Sequence, residues 1–365
     1  MKNKYFCLGV VILLLVSTAG LVFASEYLNM RQAVDEALTN NPEVEKAALA
    51  VKNAELGYDI IMQAKKDLQQ YQDTVGLTFE QLKILNFGPL EMEGLLGLAQ
   101  KGEELGKNGL ALETQQNYLA LLKAQDGLSL AKLGLERARE QKRLAEAAFK
   151  AGTVAKSDVL GADAQVASAE AVLFGMESAV QIAKMSLNKT LGRELDNPLE
   201  VKGELTLPKL SKSDLQEGID AALNNRLEII QTQNELEIKE KEFSLAKAAY
   251  SPNVFAYREA ELNLADARLN LRTAEDSVLL QVQQLYAALG GMEKQQSALG
   301  KSVEYATESY RLAKLRYEVG IDTQMDVLSA LVTLTELENN LLEAKYDCYL
   351  TYLQWLFATG RTVDW

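Results

Sequence analysis

Across 365 residues, 51 acidic side chains outnumber 38 basic ones, leaving a formal charge of −13, and histidine is absent. An acidic balance argues against nucleic acid as a partner, because neutralising phosphates needs clustered lysine and arginine. The missing imidazole removes histidine triads, histidine metal sites and the commonest general acid–base group, and no Gly-rich phosphate loop follows a strand. No catalytic residues and no metal or cofactor site can be assembled, so the chain does not read as an enzyme.

Lys2 and Lys4 precede an apolar run from Phe6 to Phe23, followed by Val22-Phe23-Ala24 before Ser25. This basic, apolar, small-x-small order predicts a signal peptide over residues 1–24, cleaved after Ala24, and hence export. Cys7 falls inside it, which leaves Cys348 without an intramolecular disulfide partner. No later segment reads as long and apolar enough for a transmembrane helix.

The next stretch carries Leu28-Asn29-Met30-Arg31-Gln32-Ala33 and a short helix over Ala37-Leu38-Thr39-Asn40-Asn41-Pro42. From Ala64 to Gly97, Val75, Leu77, Phe79 and Leu85 give a strand-like alternation, and Gly88-Pro89 reads as a break. Helical spacing follows from Ala99 to Phe149, with Leu121, Ala124, Leu128, Ala131, Leu135, Ala138, Lys142 and Ala145 on one seam. The charges from Glu136 through Arg137, Arg139, Glu140, Lys142 and Arg143 alternate in sign, the pattern of a solvated helix face. Gly152 marks a tight tip, after which Val159, Ala162, Val166, Ala169 and Leu173 form a second seam. Large residues alternate with small ones on both seams, the pattern of closely approaching coiled helices.

Sliding the chain along itself by 168 residues brings Tyr118 onto Tyr286, Gly152 onto Gly320, Asp158-Val159-Leu160 onto Asp326-Val327-Leu328, and Gly192 onto Gly360. The short helix also recurs, but at an offset of 185, as Ala222-Leu223-Asn224-Asn225-Arg226. The first half therefore carries 17 more residues between its short helix and its hairpin, placed within Ala64 to Gly97. In the second half a long helix is expected from Tyr257 to Tyr317, and Thr323-Gln324-Met325-Asp326 reads as a capping box after Gly320. At the first tip Ala155 occupies the matching cap position, so Ser157 or Thr153 is expected to substitute. Gln296 and Thr351 are polar intrusions on the seams and Cys348 a small buried one. The fold class is mainly α, with duplicated long antiparallel coiled-coil hairpins and at most a few short strands. The units are residues 25–192 with a tip at 149–157, a linker at 193–213 read as two short extended pieces, and residues 214–365 with a tip at 317–326.

These features together resemble the TolC family of outer-membrane efflux proteins. The carriers are the opening Leu28 to Ala33 pattern, Asn40-Asn41-Pro42, and the two tips, Phe149-x-x-Gly152 and Tyr317-x-x-Gly320, each followed by Asp-Val-Leu. The resemblance implies a homotrimeric tunnel, an α-barrel in the periplasm that meets the outer membrane. It also implies that the tunnel docks a periplasmic adaptor and an inner-membrane transporter to export small molecules or proteins, with no cofactor. By position, Phe149, Gly152, Tyr317 and Gly320 would belong to adaptor-docking entrance tips, with Asp158, Tyr317 and Asp326 as candidate links closing the entrance. The chain departs from the pattern at Asp322, where the family often has a basic residue, and at Ser329, where an acidic ring position is expected. It departs further where four barrel strands of about 9–11 residues should fit, because Ala249 to Tyr257 is too short for two of them. The alternative is therefore a barrel-less periplasmic or cell-wall coiled-coil spacer without channel activity.

Overall fold

The computed structural model describes residues 27–72, 79–203, 205 and 211–360. The expected signal peptide lies outside them, as do Val75 and Leu77. Among the described residues the helices are α1 (Met30–Asn40), α2 (Pro42–Gln72), α3 (Phe79–Lys150), α4 (Lys156–Thr190), α5 (Lys212–Asn225), α6 (Leu227–Ala249), α7 (Phe255–Glu318) and α8 (Gln324–Ala358). The 72 residues of α3 and 64 of α7 extend about 108 and 96 Å at 1.5 Å per residue.

The stretch read as strand-like is helix. Phe79 and Leu85 belong to α3, which continues through Gly88 and Pro89. A proline there forfeits one backbone hydrogen bond of a very long ladder, and neighbouring packing outweighs it. Gly57 and Gly88 let α2 and α3 close on each other: a Cβ at Gly88 would lie 3.2 Å from Ile61 Cγ2, and one at Gly57 3.6 Å from the Met92 sulfur. The 17 additional residues of the first half are also accounted for. Compared with α6 and α7, α2 and α3 are each eight residues longer, and the connection 73–78 is one residue longer than 250–254. Among the described residues the insertion lengthens α2 and α3 by about two turns each.

Along the tip-proximal half, the order across the molecule is α4, α3, α8, α7; farther from the tips it is α2, α3, α6, α7. The chain is thus a wall four helices wide. The inner seams bury the small and large residues predicted for them, among them Ala131, Leu135, Ala138, Ala145, Ala162 and Val166 in the first hairpin and Leu289, Ala306, Val327 and Leu334 in the second. Cys348 is buried in the second repeat's core, and burial pushes its thiol up. The Thr351 hydroxyl donates to Asp347 of its own helix. Lys142 is not a seam residue: Gln141 is buried instead, and Lys142 pairs with Asp163 of α4 at 2.5 Å.

The charge run is not one solvated face. Arg137 makes a two-pronged ion pair with Glu338 of α8 (2.7 and 3.0 Å), with side chains only 20% and 15% exposed. Arg139 reaches Glu170 of α4 at 2.8 Å, and Arg143 alone pairs within its helix, with Glu140. A heptad pattern of one helix cannot show that two neighbours flank it, so the face partition was not legible. α4 does pass the length and hydropathy criterion for a membrane span, contrary to expectation. Its ion pairs with α3 identify it as a coil partner, and its exposed apolar stripe is an open edge.

Of the linker, residues 204 and 206–210, where the second extended piece was expected, lie outside the described residues. Among the described residues a single parallel bridge joins Leu28 to Val201, with Leu28 N–H donating to Glu200 at 3.0 Å. Tyr118 anchors it, its hydroxyl lying 2.9 and 3.0 Å from the Leu28 and Lys202 carbonyl oxygens.

The two repeat offsets converge on one joint. Asn41 caps α2, accepting from Glu43 N–H at 2.9 Å, while its Nδ2 donates to the Thr190 carbonyl at 2.9 Å. Beside it, Gly192 (φ 72°) packs so tightly that a Cβ would lie 2.8 Å from the Asn40 carbonyl oxygen. The same contact recurs between Gly360 (φ 64°) and Asn225, where a Cβ would lie 3.0 Å from that of Asn225. Short helix and hairpin thus meet through an equivalent left-handed glycine in both halves, with Arg226 in the place of Asn41. A volume swap further distinguishes them. Where the first repeat buries Ala33 and Leu187, the second has Gly218 and Trp355, and a Cβ on Gly218 would meet Thr359 Cγ2 at 2.8 Å and Trp355 Cζ2 at 3.1 Å. Gly218→Ala is therefore expected to destabilise the protein by about 1–3 kcal/mol through overpacking. Trp355→Leu added to it should recover part of that loss in denaturant unfolding, which separates volume from a local propensity effect.

Candidate functional site at the hairpin tips

Both tips are built by the same helix-ending chemistry. At the first, Gly152 (φ 75°) donates to the Phe149 carbonyl at 2.9 Å and Thr153 N–H to Ala148 at 3.0 Å. At the second, Gly320 (φ 78°) donates to Tyr317 at 3.0 Å and Ile321 N–H to Arg316 at 2.8 Å. These paired bonds are the Schellman arrangement, which requires a left-handed residue and so favours glycine. A Cβ at either glycine would meet nothing within 4 Å, so backbone conformation alone selects glycine there.

The following helix starts differ. At α8 the capping box is complete: Asp326 accepts from Thr323 N–H (2.8 Å) and hydroxyl (2.6 Å). At α4 neither Ser157 nor Thr153 substitutes. Ala155 is the cap residue, Asp158 accepts from its N–H at 3.1 Å, and the Thr153 hydroxyl donates back to Ala148 at 2.9 Å. The Ala148 carbonyl thus accepts from both the Thr153 N–H and its hydroxyl, a use of Thr153 at the end of α3 that spacing does not reveal.

Asp158 and Asp326 thus each serve the N-terminus of their own helix, where a carboxylate is favoured by the helix dipole. Tyr317 is brought near Asp158 across the two hairpins, but its hydroxyl has no hydrogen-bond partner. Burial, and secondarily the Asp158 charge, push its ionisation up. Above the tips, two contacts that spacing did not single out tie the hairpins together. The Gln141 amide donates to the Tyr310 hydroxyl at 3.0 Å, and the Tyr346 hydroxyl donates to Asp126 at 2.8 Å. A buried glutamine inside an alanine seam was the available signal for the first.

The second tip exposes an apolar crown: Val319, Ile321 and Met325 are 70%, 73% and 68% exposed, and Phe149 of the first tip is exposed too. Beside it a groove of about 600 Å³ runs between α7 and α8, lined by Tyr305, Ala306, Ser309, Ser329, Ala330 and Thr333 among others. Small hydroxyl and methyl groups make up most of its lining, with Lys301 and Asp326 as the charged members. Among the described residues no group of side chains could hold a metal ion.

The Thr323 hydroxyl and backbone donors hold the Asp326 carboxyl below its ordinary value. A depressed folded value means that this contribution is complete above the unfolded value near pH 4 and is lost as pH falls through the lower folded value. The amides in the first turn of α8 should therefore lose protection, measured against their intrinsic exchange rates, in that acid window, and Thr323→Ala should cause the same loss of protection at neutral pH.

The outer membrane efflux protein family model matches residues 104–193 and 254–361, together more than half of the chain and including both tips. No curated protein matches. The fold is similar to that of a membrane protein from Pseudomonas aeruginosa (TM-score 0.74, 17% identity, 91% of this chain and 90% of that one). It is also similar to VceC, an outer membrane protein of Vibrio cholerae (0.71, 17%, 92% and 97%), and to the CmeC outer membrane channel of Campylobacter jejuni (0.69, 15%, 92% and 87%). With two long hairpins, two Schellman tips and the duplicated joint falling within or beside the matched segments, the chain belongs to the outer membrane efflux protein family.

Proposed function

We propose that three copies of this chain close head to tail into an α-helical efflux tunnel of the cell envelope, whose tips engage a periplasmic adaptor coupled to an inner-membrane transporter. The observation that carries this reading is the pair of open edges. On one side α4 exposes Leu160, Phe174, Ile182 and Met185, and α2 exposes Leu49, Leu56 and Ile60; on the other, α7 exposes Leu262, Leu269 and Leu280. Each set follows a helical stripe. Apolar stripes on opposite edges of one wall are a heterologous interface, which closes into a ring when the rotation permits. Twelve helices spaced about 10 Å apart enclose a circle roughly 38 Å across at their axes, leaving a lumen of about 28 Å. Conduction through it needs no cofactor and no catalytic group.

At the tips, the apolar crown of Val319, Ile321 and Met325 supplies a docking surface, and the adjacent groove can receive a partner helix. Asp322 replaces a basic residue there, so Tyr317 and Asp158 hold the entrance by packing and weak polarity rather than by a charged lock. The spacer reading is favoured by one specific observation: the connections 73–78 and 250–254 hold six and five residues, while a membrane-spanning strand pair needs about 18–22 plus a turn. Planar-bilayer conductance separates a conduit that perforates a membrane from a tube that abuts one.

Leu269→Asp or Phe174→Asp should convert trimers to monomers in native mass spectrometry, and a strictly monomeric unmodified protein would overturn the tunnel. Ile321→Asp should leave the trimer intact yet abolish co-purification of an adaptor and lower efflux by at least about tenfold, the scale of one lost apolar anchor. Unchanged efflux in that variant would show that this tip does not dock.

A further inference from the structure

We propose that the turn between α6 and α7 is a membrane-surface contact for an anionic lipid layer, with Phe255 as the inserted side chain and Lys247 and Arg258 as headgroup partners. It deepens the tunnel reading by stating how the end opposite the tips meets a bilayer.

The turn is an ordered, convex apex. Tyr250 N–H donates to Ala246 at 2.8 Å and Val254 N–H to Ser251 at 3.0 Å, so the chain reverses over five residues and enters α7 directly. Phe255 is 88% exposed, above every other exposed large apolar residue described, and Val254 beside it is 38% exposed. Such exposure on a rigid apex is unfavourable in water and becomes favourable in an acyl-chain boundary. Beside it, Tyr257 is held edge-on by Phe243 (5.3 Å, 68°), an aromatic pair of the kind favoured where one side of a ring is wet and the other apolar.

Charge selects the partner. From Lys247 to Arg258 the sequence contains two cations and no acidic residue, in a chain whose net charge is −13; the next carboxylate is Glu259. Lys247 and Arg258 are both exposed, and Arg258 Nε lies 3.4 Å from the Pro252 carbonyl, which keeps the guanidinium directly beneath the apex. A cation pair under an apolar tip matches a layer of phosphate headgroups over hydrocarbon. Phe255 heads the row that continues through Leu262 and Leu269 of α7, so a second copy is the competing occupant, and a Phe255→Ser variant that falls to monomers would show that the neighbouring chain and not lipid covers it. The two cations beside Phe255 favour the lipid layer.

Position supports this. A Cβ on Gly94 of α3 would lie 3.8 Å from Asn234 of α6, and fifteen residues of each helix lead from there to their turns. The N-terminal end of α3 and the C-terminal end of α6 therefore finish at about the same level, and the five residues between α6 and α7 are too few for spanning strands.

The test is flotation of the purified protein with phosphatidylethanolamine–phosphatidylglycerol vesicles and with phosphatidylcholine vesicles, the oligomeric state being read on the same samples. The unmodified trimer should float with the anionic vesicles and less with the neutral ones. Phe255→Ser should lower partitioning on the order of tenfold. Lys247→Gln with Arg258→Gln should remove the preference for anionic lipid, whereas Leu195→Ser, at an exposed apolar residue of the linker, should change nothing. A trimer that does not float, or a Phe255→Ser variant that floats like the unmodified protein, overturns this proposal and leaves the tunnel standing. A monomer overturns the tunnel and this proposal with it.

Discussion

A wall four helices wide and one helix thick buries the flanks of its inner helices but leaves one flank of each edge helix open. That constraint governs the molecule. The inner seams of α3, α8 and α7 are filled by alternating large and small residues such as Leu135 with Ala138 and Leu334 with Val327, which keeps the helices close and the wall thin. The edge helices α4 and α2 on one side and α7 on the other then carry Phe174, Ile182, Leu56 and Leu269 into solvent, and their burial at about 25 cal/mol per Å² is available only through another wall. The polar ties within one chain, Arg137 to Glu338 and Tyr346 to Asp126, join α3 to α8 across the middle of the wall. Membership of the outer membrane efflux family agrees with a shape that is incomplete as a monomer.

Duplication makes such a wall economical to build, and its details show which contacts are indispensable. The short helices recur at 185 residues and the hairpins at 168, yet Asn40 meets Gly192 as Asn225 meets Gly360. The joint survived while the hairpin above it changed length by eight residues on each side. Gly218 opposite Trp355 and Ala33 beside Leu187 show the complementary case, where one volume was traded for another within a retained shape.

Much of this was legible in the residues. Hairpins, tips, both offsets and the α8 capping box follow from periodicity and from glycine and threonine chemistry, each a local signal. Other parts were not, and three of them share a cause. Phe79 to Leu85 alternates like a strand, but Gly57 and Gly88 allow a helix packing that alternation cannot express. Arg137 looked solvated because its partner Glu338 lies 201 residues away. Thr153 was a plausible cap for α4 but closes α3, since two open helix ends compete for one hydroxyl. Each miss concerns a partner from another element, which helical spacing alone does not encode.

The central claim is a closed ring of three chains that remains helical to both ends. Electron microscopy of the purified protein tests it most directly. End-on views should show a threefold ring of twelve helical densities around an open lumen, and side views a tube about 100 Å long whose blunt end carries no wider barrel. Single four-helix slabs, two-fold particles or a strand-built cap above α2, α3, α6 and α7 would contradict it.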